Sequence, residues 1–238
     1  MITLIIATRN PHKVDEIRAI LGTQFECLSL NAFPGAPEVV EDSGTFAGNA
    51  TKKAVQLAKW ISRQKTLKTA SGSVGQIFVL ADDSGLEVDA LGGAPGVHSA
   101  RFAALDTGKQ GNSSAQENNS KLLRLLANVP AESRTARFKC VLALTPVLPP
   151  EPISSSPACS ADEFEFNTRL FEGACEGRIG FELRGSGGFG YDPLFFPERH
   201  DKTFGELTDT EKNRLSHRAR ALAGLVQAFN LRPKVTGP

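Results

Sequence analysis

The residues best suited to chemistry in this 238-residue chain lie in one stretch, Val79-Leu80-Ala81-Asp82-Asp83-Ser84-Gly85-Leu86-Glu87-Val88. An apolar run from Ile77 to Ala81 has the character of a buried strand. Two adjacent carboxylates stand at its end, and Ser84-Gly85 then signals a turn. A buried carboxylate is costly unless it is paired or bound to a metal. Two in succession therefore suit a polyanion site that works through a metal ion. An isolated D-D-S-G more often marks a solvated turn, so both readings stand until other residues bear on them.

Further candidates are spread along the chain. After the apolar run Ile2 to Ala7, Thr8-Arg9-Asn10-Pro11 breaks a strand and opens a helix, with Asn10 suited to the N-cap and Pro11 to the first helical position. Thr8, Asn10 and Lys13 at a helix N-terminus make a phosphate cradle, or simply a capped helix with a surface lysine. Glu41 sits in an acidic turn, 38–44. Lys53 lies one position off the buried stripe of the following helix, aimed along it at a ligand or into water. Gly185-Ser186-Gly187-Gly188-Phe189-Gly190 matches G-x-G-x-x-G, but the Tyr191-Asp192-Pro193 that follows cannot open the helix a dinucleotide site needs. Phe189, Gly190, Tyr191 and Asp192 instead suit a loop that lays a ring beside a flat ligand, or a tight turn with both rings in the core. Near the end, Thr208 to Glu211 is a capping box. Lys212, Arg214, His217, Arg218 and Arg220 crowd the first half of the helix it opens, where the dipole disfavours cations. Such a charge run is usually a solvated face; its placement here points mildly to an anionic partner.

The elements that must position these residues are an alternation of strands and helices. Val14, Ile17, Ile20 and Leu21 give one helical face, and Phe46, Ala50, Ala54, Leu57 and Ile61 give another that ends near Ser62. Residues 86–90 alternate as a half-buried strand. A helix is predicted over 113–128 with Leu122, Leu123, Leu125 and Leu126 mostly buried, and a central strand over 136–144. Short strands are expected at 168–175 and 177–183. One continuous last helix carries Leu215, Ala219, Leu222, Val226 and Phe229. The polar segment 63–76 and the Pro/Ser-rich segment 146–162 read as surface insertions. The length fits one domain, or one domain of two lobes. With 27 basic and 26 acidic residues the charge is +1, which argues against bulk nucleic-acid binding. No apolar stretch is long enough to span a membrane, and the N-terminus reads as a strand, not a signal peptide. Cys27, Cys140, Cys159 and Cys175 are scattered without zinc spacing, as free thiols of a cytoplasmic protein would be.

Carboxylates for Mg²⁺, cations and N–H groups for phosphates, and an aromatic loop for a base are together the inventory of a nucleotide phosphohydrolase. The chain has no Walker A motif and no D-x-D. In ATRNPHKVDEI, EDSGTFAGNATKKA, LADDSGLEVDALGGAPGVHSARFA, GGFGYDPLFF and EKNRLSHRARAL, occurring in this order across residues 1 to about 230, it closely resembles the inosine/xanthosine triphosphate pyrophosphatases, the Ham1-like family. The resemblance implies an elongated α/β fold, a mixed central sheet flanked by helices, with two lobes and a cleft between them, in a single domain that forms a homodimer. It implies cleavage of ITP, dITP and XTP to the monophosphate and pyrophosphate, clearing deaminated purines from the nucleotide pool. It places Thr8, Asn10 and Lys13 on the triphosphate, with Arg9 at an open position beside them. Glu41 and Asp83 become Mg²⁺ ligands and Asp83 the proton acceptor. Lys53 and Ser84 would contact substrate, residues 189–192 would line the base pocket, and Lys212, His217 and Arg218 would complete binding. The 63–76 and 146–162 insertions lie outside the motifs.

Base choice has a physical account. A pocket of donors, such as Arg218 and backbone N–H groups, pairs with a 6-carbonyl and leaves donors opposed by adenine's amine. Rival readings are a pyrophosphatase for pyrimidine or modified nucleotides, and a nucleotide sensor without catalysis.

Overall fold

The structure is a computed structural model, and it describes residues 2–64, 76–108, 111–149 and 162–230. Six strands form one sheet in the order β2-β1-β3-β4-β5-β6. They are β1 (Ile2–Ile6), β2 (Phe25–Ser29), β3 (Ile77–Val88), β4 (Thr135–Pro146), β5 (Arg169–Ile179) and β6 (Phe195–Pro197). The helices are α1 (Pro11–Leu21), α2 (Phe46–Ser62), α3 (Ala104–Thr107), α4 (Ala115–Leu125), α5 (Glu163–Phe166), α6 (Asp209–Leu215) and α7 (His217–Ala228). β1 runs parallel to both β2 and β3, with Leu4 opposite Cys27 and Phe78, whereas β5 and β6 are antiparallel, so the sheet is mixed. No helix of the described residues is long and apolar enough to cross a membrane.

The chain divides into two compact units. Unit 1 comprises Met1–Asp83, Val141–Phe171 and the chain from Gly224 on; unit 2 comprises Ser84–Cys140 and Glu172–Ala223. In unit 1, Leu4, Ile5 and Ile6 of β1 and Val79 and Leu80 of β3 are fully buried, as are Ile17 and Leu21 of α1 and Ala50, Ala54 and Ile61 of α2. Each large side chain so buried stabilises the fold by about 1.5–3 kcal/mol. In unit 2, Leu86 and Val88 of β3, Leu122 of α4, Phe138 of β4 and Ile179 of β5 join Tyr191, Phe195 and Phe204 in one apolar cluster. Its rings pack edge-on and stacked, with Phe138 4.8 Å from Phe195 and 5.9 Å from Phe204.

α1 and α2 match the sequence expectation, down to the Asn10 cap and Pro11 at the first position. Four expectations do not hold. Ser84-Gly85 is no turn: β3 runs unbroken from Ile77 to Val88, so its place within the sheet outweighs the local turn signal. The two strands expected across 168–183 are one, β5; Gly177 marks where the β6 backbone comes close, which a Cβ would obstruct. Leu125 at the end of α4 is exposed, while Leu122 and Leu126 carry the buried face. The last helix is two. Ser216 is extended (φ −65°, ψ 154°), and its Oγ accepts from the Ala219 N–H at 3.1 Å, capping α7. Most of 63–76 and 146–162 lies outside the described residues.

Candidate functional site

In unit 1 the strand pleat does the positioning. Consecutive side chains of β3 leave opposite faces of the sheet. Right-handed crossovers that run in opposite directions across β2-β1-β3 put α1 and α2 on opposite faces. Asp82 accordingly pairs with Lys13 of α1, and Asp83 turns to α2, where its Oδ2 accepts from Asn49 Nδ2 at 3.0 Å. Asp82 is thus a paired carboxylate within a strand, and it holds Lys13 beside Asp83. One helical turn past Asn49, Lys53 Nζ lies 2.5 Å from Glu41 Oε1 and donates to the Asp82 carbonyl at 3.3 Å. The α1 N-terminus is already well capped: Thr8 Oγ1 accepts from the Asn10 N–H at 3.1 Å, and Asn10 Oδ1 accepts from the His12 N–H at 2.9 Å. Arg9 donates to the Ala36 carbonyl at 3.1 Å.

Burial is the largest influence on Asp83 and pushes its pKa up to about 6. The Asn49 hydrogen bond, then Lys13 and Lys53, pull it down, and Glu41 pushes it up again. A carboxylate so balanced takes and returns a proton near neutral pH, as a general base must.

Asn49 is the residue of this candidate site that sequence reasoning missed. It is 1% exposed. Its Nδ2 holds Asp83, and its Oδ1 accepts from the Ser43 N–H at 2.9 Å, which fixes the turn carrying Glu41. The signal was present: an asparagine three residues after Phe46 falls on an otherwise apolar stripe, and a buried amide must be hydrogen-bonded.

In unit 2 a second cluster forms around the glycine loop. Asp192 Oδ2 accepts from the Phe189 N–H at 2.7 Å and from Lys212 Nζ at 2.8 Å, and both charged side chains are buried. Gly188 holds a left-handed φ of +69°, and a Cβ there would strike the Asp192 carboxylate. Lys212 Nζ also stands 4.8 Å from the Phe189 ring centre, with the Arg218 guanidinium 5.9 Å from it. Arg218, 1% exposed, donates to Ser84 Oγ at 3.4 Å. His217 stacks on Phe138 at 4.9 Å. Tyr191 packs into the apolar cluster, and its hydroxyl donates to the Ser99 carbonyl at 2.9 Å, so its ring has a core role. Phe189, half-buried, is the aromatic face available to a flat ligand.

The break at Ser216 revises the charge argument. Lys212 and Arg214 fall in the last turn of α6, where the dipole favours cations, so only His217, Arg218 and Arg220 stand near a helix start. Their burial, not their place along the helix, sets His217 and Arg218 apart. Unit 1 therefore gathers Thr8, Asn10, Lys13, Glu41, Asn49, Lys53 and Asp83, and unit 2 gathers Ser84, Phe189, Asp192, Lys212 and Arg218. Asp83 and Ser84 are consecutive in β3.

The chain is similar to known proteins over nearly its whole length. A dITP/XTP pyrophosphatase of Desulforamulus reducens is 44% identical over 230 residues, covering 95% of each chain. One of Shouchella clausii is 42% identical, covering 95% of this chain and 96% of that one. Among solved structures, a HAM1 protein from Coxiella burnetii superposes with a TM-score of 0.72 at 32% identity, covering 97% of this chain and 99% of that chain. The Mycobacterium abscessus nucleoside-triphosphatase/dITP/XTP pyrophosphatase gives 0.65 at 34% identity, covering 94% and 98%. The Ham1 family model matches residues 4–228, and the chain belongs to the Ham1 family.

Proposed function

We propose that this protein hydrolyses deaminated purine nucleoside triphosphates, ITP, dITP and XTP, to the monophosphate and pyrophosphate. The observation that carries the reading is Asp83: a buried carboxylate with its pKa near 6, held by Asn49 and flanked by two lysines. Asp83 accepts a proton from a water directed at the α-phosphorus. Lys13 and Lys53 offset the charge that grows on the departing pyrophosphate. Phe189 lies against the base, while Arg218, Lys212 and His217 favour a base that presents carbonyls.

Mg²⁺ fits the donor set. Among the described residues no group of three or more His, Cys, Asp or Glu is placed to hold a metal ion. Mg²⁺ instead takes one or two carboxylates and completes its shell with water and substrate phosphates. Glu41 and Asp83 supply those two; burial is the main cause of the raised Asp83 pKa and the Glu41 charge adds a smaller upward push, a charge conflict that a cation relieves. When bound there, Mg²⁺ supplies charge neutralisation for the phosphates. The homodimer implied by the resemblance has candidate contact residues in the exposed Phe166, Phe181 and Leu183. A cytoplasmic location is part of the same reading, supported by the free thiols of Cys27, Cys140 and Cys175.

A pyrophosphate-release assay across ITP, XTP, dITP, ATP and GTP, with and without Mg²⁺, tests the reading. Release that needs Mg²⁺ and favours the deaminated substrates is expected; equal turnover of ATP overturns it. Light scattering of the purified protein at twice the monomer mass is the expected result for the dimer.

A further inference from the structure

The amide of Asn119 is buried, 4% exposed, and lies outside every role described above. It stands in the first half of α4, next to Asn118, which is also buried and ties down another segment. Asn118 Nδ2 donates to the Ala100 carbonyl at 3.3 Å, and its Oδ1 accepts from the Ala103 N–H at 2.8 Å. Asn119 reaches the glycine loop instead: its Nδ2 donates to the Gly190 carbonyl at 3.0 Å. Its Oδ1 has no hydrogen-bond partner among the described residues, so its hold on the protein runs through that single bond. Gly190 directly follows Phe189 in the loop. It has a left-handed φ of +62°, and a Cβ built on it would meet nothing within 4 Å.

The peptide joining Gly190 to Tyr191 is trans, the only cis bond being Ala94-Pro95 among the described residues. In a trans peptide the carbonyl and the N–H point in opposite directions. Fixing the Gly190 carbonyl on Asn119 therefore fixes the Tyr191 N–H on the far edge of the same plane. Tyr191 is held by its own hydroxyl at Ser99, so the plane is pinned on both sides. Were it to flip, an acceptor would stand where the donor now stands.

We propose that Asn119 is a positioning residue for base selection. It holds the Gly190–Tyr191 peptide so that the loop beside Phe189 offers an N–H donor, which pairs with the 6-carbonyl of a deaminated purine and not with adenine's amine. The inference rests on the function proposed above and deepens it. Its strength comes from unpaired polar groups: a buried donor with no acceptor is costly, so losing the orientation erodes discrimination roughly tenfold.

The chain contains a single tyrosine, so selective ¹⁵N-tyrosine labelling gives one amide signal, that of Tyr191, in the unaltered protein. Titration with IMP should shift this signal, and titration with inorganic tripolyphosphate or AMP should leave it in place; a signal indifferent to IMP overturns the proposal. Asn119→Asp, which sets an oxygen against the Gly190 carbonyl, should lower the ITP-to-ATP ratio of kcat/KM at least tenfold, chiefly through KM for ITP. Asn119→Ser should give a smaller fall, and it carries the test if the aspartate variant does not fold. Equal losses for ITP and ATP, or an unchanged ratio in a folded variant, mark a merely structural asparagine and overturn the proposal. Wild-type protein that does not prefer ITP to ATP fails at the earlier reading, and is recognised as such before any variant is made.

Discussion

Asp83 in unit 1 and Arg218 in unit 2 are both buried charged groups, but their surroundings differ in kind. Asp83 is surrounded by other charges: Glu41, Lys13 and Lys53 all act on it. Arg218 stands by a hydroxyl and an aromatic ring. Unit 1 is an ionic lattice with a surplus of carboxylate oxygen, which suits a triphosphate arriving with a cation. Unit 2 is a cationic, aromatic surface suited to a neutral ring. The lesson is that burying charge serves two ends: pooled charges tune a proton affinity, whereas a cation set against a hydroxyl and a ring is suited to reading the polarity of a partner.

That contrast breaks most visibly at Asp83. Asp83→Asn should lower turnover of ITP by about 10²- to 10⁴-fold, measured as pyrophosphate release, while ITP-over-ATP binding preference survives. The same variant should raise stability. The folded pKa lies above the unfolded value of 3.8, so ionised Asp83 opposes folding, and its adverse effect grows as pH rises from about 4 to about 6. Without Mg²⁺ the variant should exceed wild type by roughly 2–3 kcal/mol at pH 7.5 and match it below pH 4, as followed by thermal melts. A variant less stable than wild type at pH 7.5 contradicts the assigned environment.

Arg218→Ala probes the other region. It should reduce the ITP-to-ATP ratio of kcat/KM by about tenfold or more and leave the acid limb of the pH profile in place. A shifted limb with an unchanged ratio reverses the division of labour. Asn49→Ala sharpens the comparison from within unit 1. It removes the bond that favours the Asp83 carboxylate, so the acid limb of kcat should move above its wild-type position and activity at pH 6.5 should fall several-fold. The smallest effect belongs to Ser216→Ala. Loss of the α7 cap costs about 1 kcal/mol and lowers the melting temperature by about 2–4 °C, with little change in the ITP-to-ATP ratio.

The two regions also differ in how far the sequence revealed them. Helix stripes, the Asn10 cap and the candidate residues of unit 1 were legible, because apolar period and cap chemistry are local. The continuity of β3 was not: its turn signal is local, and the pairing that overrides it lies far away in sequence. The partition of Asp82 from Asp83 depended on which helix packs on which face, a consequence of crossover direction. In unit 2, Ser216 looked like one more helical residue until its hydroxyl was seen capping α7. Tyr191 and Phe189 were indistinguishable as aromatic neighbours, and only packing sent one inward. Asn49 and Asn119 share one oversight: buried asparagines on helices were passed over because an amide carries no charge.

The division of the chain into interleaved segments has a consequence for synthesis. The polypeptide passes between the units after Asp83, Cys140, Phe171 and Ala223. Phe229 packs edge-on against Phe25 and Phe78, at 5.6 and 5.4 Å. The first strands made must therefore wait, their aromatic seam open, until a residue some two hundred positions later emerges from the ribosome. Unit 2 has all its residues before unit 1 does, so the segment that holds Phe189 and Arg218 can be complete while the core beneath Asp83 is still unfinished. Such long-range closure is intrinsically slow, and truncation after α6 should leave a nascent chain that exposes the unit 1 core to chaperones.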